Sequence, residues 1–277
     1  MAYKILCDSC TDFTPAMESD ARFVRIPLTI YVGRREFVDD GTLRQAELLD
    51  SMRATEEAAR TACPAPEAYL SHFEEAEDIY IVTLSERLSG SYNAADQAVK
   101  CYREEGGEHN VHIFNSPSAS AGQVQAALKI RELAESGLAF EQVVDQVEAY
   151  LDEMDTMFVL ESLENLRKNG RLTKVQALVT GSLRIKLLMG ATPEGEIIKL
   201  GQGFTERQTL QKMIRRVAEN TGHIGKRLVI SHCNCLERAR YVRDLAEKLC
   251  AFREILITAT GGISTVYAND GGIVIAY

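Results

Sequence analysis

The chain has 277 residues, of which 45% are hydrophobic and 26% are charged. This length favours two domains with a crevice between them, and the composition is that of a globular protein that buries its core without metals or disulfides. With 40 acidic and 31 basic residues, the net charge is −9, which repels nucleic-acid phosphates and anionic lipid surfaces. We therefore expect no nucleic-acid partner.

The N-terminus has neither the apolar core nor the cleavage site of a secretion signal, and no apolar run approaches the roughly 20 residues of a membrane-spanning helix. The seven cysteines are an odd number, which favours reduced thiols. These features predict a soluble, cytoplasmic protein without stable membrane insertion.

Short β-rich runs alternate with helical stretches in the first half of the chain, which is typical of a layered α/β protein. The predicted strands are 3–6, 24–32, 79–84 and 111–114. The predicted helices are 43–55, 66–75, 89–104 and 118–136.

A helix over 140–153 and an apolar run over 157–160 mark the predicted domain boundary, which gives domains of 1–156 and 157–277. The second domain has predicted helices through Leu163 and Leu166, near Val175, and over 205–218 and 236–249. Its predicted strands are 187–189, 197–200, 228–231, 255–258 and 272–277, with Gly195 in the turn between the first two.

Ser89 and Gly90 follow a predicted strand and open a predicted helix. The free N–H groups at such a junction stabilise an anion, and glycine lets the backbone approach a ligand closely. Ser89 is also a good N-cap candidate, and capping alone is the more common role of such a serine.

Two other segments are compatible with anion binding. Thr61 precedes a proline-stiffened loop in which Pro66 suits the first turn of a helix, although a turn or cap role also explains it. Gly261 and Gly262 suit a carboxylate or phosphate nest and equally a simple turn.

Signals for enzymatic chemistry are weak. The sequence has no phosphate loop, dinucleotide fingerprint, nucleophile elbow or HExxH pair. Cys7 and Cys10 have C-x-x-C spacing, and His232, Cys233 and Cys235 complete a conceivable zinc or redox site, but buried thiols at strand ends explain them more simply.

Several motifs together resemble the DegV family, whose members include the fatty-acid-binding subunits of bacterial fatty-acid kinase. The resemblance is nearly end to end, and the L-S-G-[ST]-Y and L-x-x-L-x-x-x-G-R motifs are specific in combination. The matching segments are 8–12, 27–28, 61–66, 84–92, 115–116, Ser120, Gly122, 163–171, 185–186 and 261–262.

The resemblance implies an N-terminal parallel-sheet α/β domain and a smaller C-terminal α/β domain with the ligand between them. It further implies one long-chain fatty acid, such as palmitate, stearate or oleate, as ligand, and no cofactor or metal. Its carboxylate is expected at Thr61, Ser89, the Gly90 N–H, Arg171 and Tyr267.

The sequence departs from the family pattern at two positions that concern a kinase partner. Tyr267 stands where kinase-serving members often have histidine, and Phe204 stands where an arginine is common. We expect a non-catalytic carrier that presents its fatty acid to a separate kinase subunit resembling dihydroxyacetone kinase. The alternatives are a lipid sensor, and a phosphotransferase or serine hydrolase that uses Ser89 or Ser91.

Overall fold

The computed structural model describes residues 2–172 and 185–277. The predicted helix near Val175 lies outside the described residues. The described strands are β1 (Tyr3–Asp8), β2 (Phe23–Ile26), β3 (Thr29–Val32), β4 (Arg35–Val38), β5 (Arg60–Ala62), β6 (Asp78–Thr83), β7 (Asn110–Asn115), β8 (Thr156–Val159), β9 (Lys186–Ala191), β10 (Ile197–Gly203), β11 (Arg227–His232), β12 (Glu254–Ala259) and β13 (Ile273–Ala276). The described α-helices are α1 (Pro15–Glu18), α2 (Gln45–Arg53), α3 (Pro66–Leu70), α4 (Ser91–Glu104), α5 (Ala121–Glu135), α6 (Phe140–Asp152), α7 (Glu164–Lys168), α8 (Glu206–Glu219), α9 (Leu236–Leu249) and α10 (Gly262–Ala268).

The N-terminal region is built on a parallel sheet of order β2-β1-β6-β7. All six residues of β6 are buried, as expected for a parallel strand covered on both faces. Helices α3 and α4 pack together, and α4 contacts β6 and β7. The predicted N-terminal parallel-sheet fold is confirmed.

The C-terminal region contains a mixed sheet of order β10-β9-β8-β13-β11-β12, in which β11 and β12 are parallel and the other pairs are antiparallel. Helices α8 and α9 pack against it. This sheet and its helices confirm the predicted C-terminal α/β region. The division after residue 156, where β8 begins, remains a prediction.

Helix α5 joins the two regions. It contacts β1 and β6 of one sheet and β11 and β13 of the other, and most of its residues are buried. The Gln125 amide donates to the carbonyl oxygens of Arg227 at 2.7 Å and Ala276 at 2.8 Å. The two sheets therefore share one hydrophobic core around α5.

The prediction of one strand over 24–32 is wrong. Pro27 has no N–H to donate, and the chain breaks there into β2 and β3. Strand β2 joins the parallel sheet, whereas β3 pairs antiparallel with β4 and β5 in a separate sheet. Two of these strands, β4 and β5, were not predicted.

The helix predicted over 66–75 is shorter than expected. Pro66 does occupy its first turn, but the α-helix ends at Leu70. Tighter three-residue turns continue through Glu75, whose N–H donates to the His72 carbonyl at 3.2 Å. No helix among the described residues combines the length and apolar content needed to cross a membrane.

Candidate binding site for an apolar acid

An apolar cavity of about 100 Å³ lies between the two larger sheets. Its walls come from the loops after β1, β6 and β7, from α7 and α10, and from β8, β9, β10 and β13 or the residues beside them. The lining includes Leu84, Leu88, Ala119, Phe158, Leu160, Leu166, Ala191, Ile197, Ala268 and Val274. Such a lining suits a hydrocarbon ligand.

The hydroxyl groups in the cavity wall are bonded to other protein groups. Ser118 and Thr156 hydrogen-bond to each other at 2.7 Å. Ser120 donates to the Asp12 carboxylate, and the Ser264 hydroxyl donates to the Cys10 carbonyl at 3.2 Å. Because these polar groups are already satisfied, the interior of the cavity is effectively apolar.

Three predicted site residues lie close together beside this cavity. The Thr61 hydroxyl lies 2.8 Å from the Tyr267 hydroxyl, and the Arg171 guanidinium carbon lies 5.6 Å from the centre of the Tyr267 ring. Arg171 and Tyr267 line the cavity, and both are partly buried. Burial raises the pKa of Tyr267, so its neutral hydroxyl remains a hydrogen-bond donor at neutral pH.

Local structure explains how these side chains converge. Thr61 is in the edge strand β5, whose register sets it opposite Ile30 of β3. Tyr267 is near the end of α10, a helix that was not predicted. Arg171 follows α7 and donates from Nε to the Leu88 carbonyl at 3.1 Å. This hydrogen bond links Arg171 to the loop that carries Ser89 and Gly90.

Ser89 and Gly90 directly follow the cavity-lining Leu88. The predicted N-cap role of Ser89 is wrong by one position, because Gly90 is the N-cap and α4 begins at Ser91. The Ser89 hydroxyl instead accepts from the Ser91 N–H at 3.2 Å and lies 3.1 Å from the Ser91 hydroxyl. A Cβ on Gly90 would lie 3.2 Å from the Cys63 Sγ, so this loop packs against the loop after Thr61.

The glycine pair at 261–262 binds the protein's own carboxylates. The Gly261 N–H donates to Asp12 at 2.8 Å, and the N–H groups of Gly262 and Ile263 donate to Asp39 at 2.9 and 2.8 Å. A Cβ at 262 would lie 2.6 Å from an Asp39 oxygen, so the close approach requires glycine. Sequence reasoning assigned no role to either aspartate, although Asp12 lies in the matching segment 8–12, because both are distant from the glycine pair in the chain.

The catalytic and metal hypotheses gain no support from the described geometry. The hydrogen bonds of the five histidines join them to residues outside the Ser89–Ser91 loop. Within 2–172 and 185–277, no three His, Cys, Asp or Glu side chains are grouped to hold a metal ion. Cys7 and Cys10 are buried, and burial raises the pKa of both thiols.

Comparison with known proteins places this architecture in a family. A DegV family protein from Ruminococcus gnavus, whose crystal structure contains vaccenic acid, has a TM-score of 0.96 and 45% identity, over all of this chain and 99% of that one. The Streptococcus pneumoniae Fatty Acid Kinase (Fak) B3 protein, loaded with linoleic acid in its crystal structure, has a TM-score of 0.92 and 33% identity over 100% and 99% of the two chains. A DegV domain-containing protein of Streptococcus pneumoniae is 34% identical over 282 residues, covering 100% of this chain and 99% of that protein. The DegV family model matches residues 2–277, and with the same fold and full-length similarity to these proteins, the chain belongs to the DegV family.

Proposed function

We propose that this protein binds one long-chain fatty acid between its two sheets and carries it to a partner. The acyl chain lies in the apolar cavity, and the carboxylate lies at the end formed by Thr61, Arg171 and Tyr267. The observation that carries the proposal is this combination of an apolar cavity wall with two hydroxyls and a guanidinium that lie together beside it. The fatty acids in the Ruminococcus gnavus and Streptococcus pneumoniae structures support it.

The cavity wall supplies most of the binding energy in this proposal. Each buried methylene contributes about 0.8 kcal/mol. The wall hydroxyls already have protein partners, so an acyl chain in contact with them leaves no hydrogen bond broken. Affinity therefore increases with the length of chain that the cavity accepts.

The free space of about 100 Å³ is smaller than the roughly 300 Å³ at which typical ligand pockets begin. A long chain therefore displaces wall side chains on entry. Leu84, Leu88 and Ile197 are suited to this because they change rotamer without exposing polar groups. Part of the burial energy is spent on this displacement.

The carboxylate end uses neutral donors together with one cation. The hydroxyls of Thr61 and Tyr267 are each other's hydrogen-bond partners, and an arriving carboxylate accepts from both. Ser89 and the Gly90 N–H, on the adjacent loop, complete the proposed site. Arg171 adds a charge-assisted interaction near Tyr267.

The proposed role is carriage without catalysis, with any acyl phosphorylation performed by a separate kinase resembling dihydroxyacetone kinase. Phe204 is 77% exposed and presents an aromatic ring where family members commonly have arginine. Any kinase contact at this position is therefore apolar. We place this exchange in the cytoplasm, where the seven free thiols stay reduced.

Native mass spectrometry of the purified protein, followed by titration with palmitate, tests the proposal. We expect one fatty acid per chain and a loss of affinity of roughly tenfold or more in a Thr61→Val, Tyr267→Phe double variant, because each hydroxyl contributes a hydrogen bond to a charged group. Tyr241→Phe is the matched control, since the Tyr241 hydroxyl accepts a hydrogen bond from Gln211 and neither residue lines the cavity. A protein that neither contains nor binds a fatty acid contradicts the proposal.

The same preparation tests the non-catalytic role. Incubation of the isolated chain with an acyl phosphate or acyl ester is expected to give no turnover above the buffer rate. Turnover that is lost in Ser89→Ala or Ser91→Ala would instead favour the hydrolase alternative.

A further inference from the structure

The hairpin formed by β9 and β10 contributes part of the cavity wall. Gly195 at its tip and Ile197 just after it are buried and line the cavity, whereas the neighbouring Pro193 and Glu194 are exposed. At this point the wall between the cavity and solvent is therefore a single turn of the chain.

The tip of this hairpin packs tightly against the N-terminal region. The Ser85 hydroxyl, on the loop after β6, donates to the Gly195 carbonyl at 2.9 Å, and both residues are buried. Gly195 has a φ of +80°, and a Cβ there would lie 2.3 Å from the Ser85 Oγ and 3.1 Å from the Pro117 Cα. The backbone conformation and the close approach therefore both require glycine.

The turn at the tip is closed by its own hydrogen bonds. The Thr192 N–H donates to the Glu196 carbonyl at 2.8 Å, and the Glu196 N–H donates to the Thr192 hydroxyl at 3.2 Å. The Gly195 N–H donates to the Thr192 carbonyl at 2.9 Å. The tip can therefore leave the N-terminal region as a unit without breaking these bonds.

The sheet holds the base of the hairpin more firmly than its tip. Strand β9 is in register with β8 at two positions, Met189 with Phe158 and Gly190 with Met157, and β10 lies at the edge of the sheet beside β9. The segment from Ala191 to Glu196 continues beyond the pairing with β8. Segments at the margin of a sheet open locally at a lower free energy than its centre.

We propose that the tip of the β9–β10 hairpin is the gate through which an acyl chain enters and leaves the cavity, and that the hydrogen bond from Ser85 to Gly195 is its latch. This inference rests on the proposed function and extends it to the route that the ligand takes.

The physical basis is the small cost of moving this part of the wall. The free space of about 100 Å³ admits a long chain only if the wall moves. Release of the tip breaks the latch and separates Gly195 from Pro117, whereas displacement of β8 or β13 would break the pairing between two central strands. Within the described part of the wall, the tip therefore opens most readily.

Stopped-flow fluorescence with cis-parinaric acid, a fluorescent long-chain fatty acid, measures the rates of entry and of exit, the latter by displacement with palmitate. In the proposed gate the tip is latched both before and after binding, so loss of the latch changes the rates and not the affinity. We expect Ser85→Ala to increase the association and dissociation rate constants about fivefold each, because one hydrogen bond fewer must break, and to change the Kd by less than about twofold.

Gly195→Ala tests the latch from the other side. Its Cβ displaces the tip from Ser85, while the hydrogen bond from the Arg87 N–H to the Ser85 hydroxyl, which Ser85→Ala also removes, can remain. We expect both rate constants to increase by at least the factor seen in Ser85→Ala. Agreement between the two variants assigns the effect to the tip, and an increase confined to Ser85→Ala would contradict the latch.

Hydrogen–deuterium exchange of residues 190–198 reports the release of the tip directly. It is expected to accelerate in Ser85→Ala and to stay unchanged in the control Ser51→Ala, which loses a buried serine hydrogen bond to the Glu47 carbonyl at 2.8 Å outside the hairpin and the cavity lining. Faster exchange with unchanged parinaric acid rates would overturn the gate, and unchanged exchange in Ser85→Ala would overturn the latch. Absence of fatty-acid binding by the unmodified protein would instead overturn the proposed function itself.

Discussion

At the scale of single residues, buried carboxylates are the chemical feature that distinguishes this protein. Asp8, Asp12 and Asp39 are almost completely buried, and each accepts hydrogen bonds from backbone N–H groups. In all three, burial raises the pKa above the ordinary aspartate value. Their hydrogen bonds only partly offset the cost of burying the charge.

Asp8 makes the free energy of unfolding depend on pH. In the unfolded chain it titrates near pH 4, whereas in the folded protein its pKa is about 6. The stabilising contribution of Asp8 is fully present below pH 4 and is lost as pH rises through 6. The reason is that the folded protein keeps the proton on Asp8 to a higher pH than the unfolded chain does. The free energy of unfolding falls by about 3 kcal/mol over this range.

Urea unfolding between pH 4.5 and 7.5 measures this effect. Asp8→Asn lacks the titration, so we expect its stability relative to the unmodified protein to improve as pH rises. Stability curves that run parallel across this range would show that Asp8 does not titrate there.

At the scale of elements, α10 is held in place by side chains from the other end of the chain. Asp39 accepts from the first N–H groups of this helix, and the Gln45 amide donates to the hydroxyls of Thr260 at 2.8 Å and Thr265 at 3.1 Å. Since α10 carries Tyr267, these contacts also position one wall of the apolar cavity.

Asp39→Ala leaves two N–H groups at the start of α10 without an acceptor. We expect a loss of about 2–4 kcal/mol in the free energy of unfolding and faster amide hydrogen exchange at Gly262 and Ile263. Asp40→Ala is the control because Asp40 is exposed, and its effect is expected to stay within about 0.5 kcal/mol. Equal exchange rates in the two variants would contradict this role of Asp39.

At the scale of the whole molecule, the cavity, the shared core and α5 link the two sheets. A ligand in the cavity contacts both sheets and binds only the folded state, so it stabilises the entire protein. At a free concentration of 100 times the Kd, the gain is about 2.7 kcal/mol, which corresponds to a Tm increase of about 5–10 °C.

Differential scanning calorimetry with and without palmitate measures this increase. Ala119→Phe places a ring in the cavity and is expected to remove the response to palmitate, at a stability cost of about 1–3 kcal/mol. A Tm increase of the same size in Ala119→Phe would place the ligand outside this cavity.

The α/β class, most helices and strands, and the family were predictable from the sequence, because periodic apolar residues and contiguous motifs are local signals. Through the family resemblance it also named Thr61, Arg171 and Tyr267, which the fold brings close together; their role at the carboxylate stays a prediction. It did not indicate the break at Pro27, the start of α4 or the helix that carries Tyr267. The helix that carries Tyr267 depends on partners distant in the chain, namely Asp39 and Gln45.

How these residues combine depends on the folded chain. Thr61 and Tyr267 are 206 positions apart, and Asp39 and Gly262 are 223 apart, so no local pattern links them. From the sequence, the glycine pair was a candidate for binding an external anion. In the fold, two carboxylates of the protein itself occupy this position. A backbone N–H accepts whichever anion the packed chain places beside it, and only the three-dimensional structure specifies that neighbour.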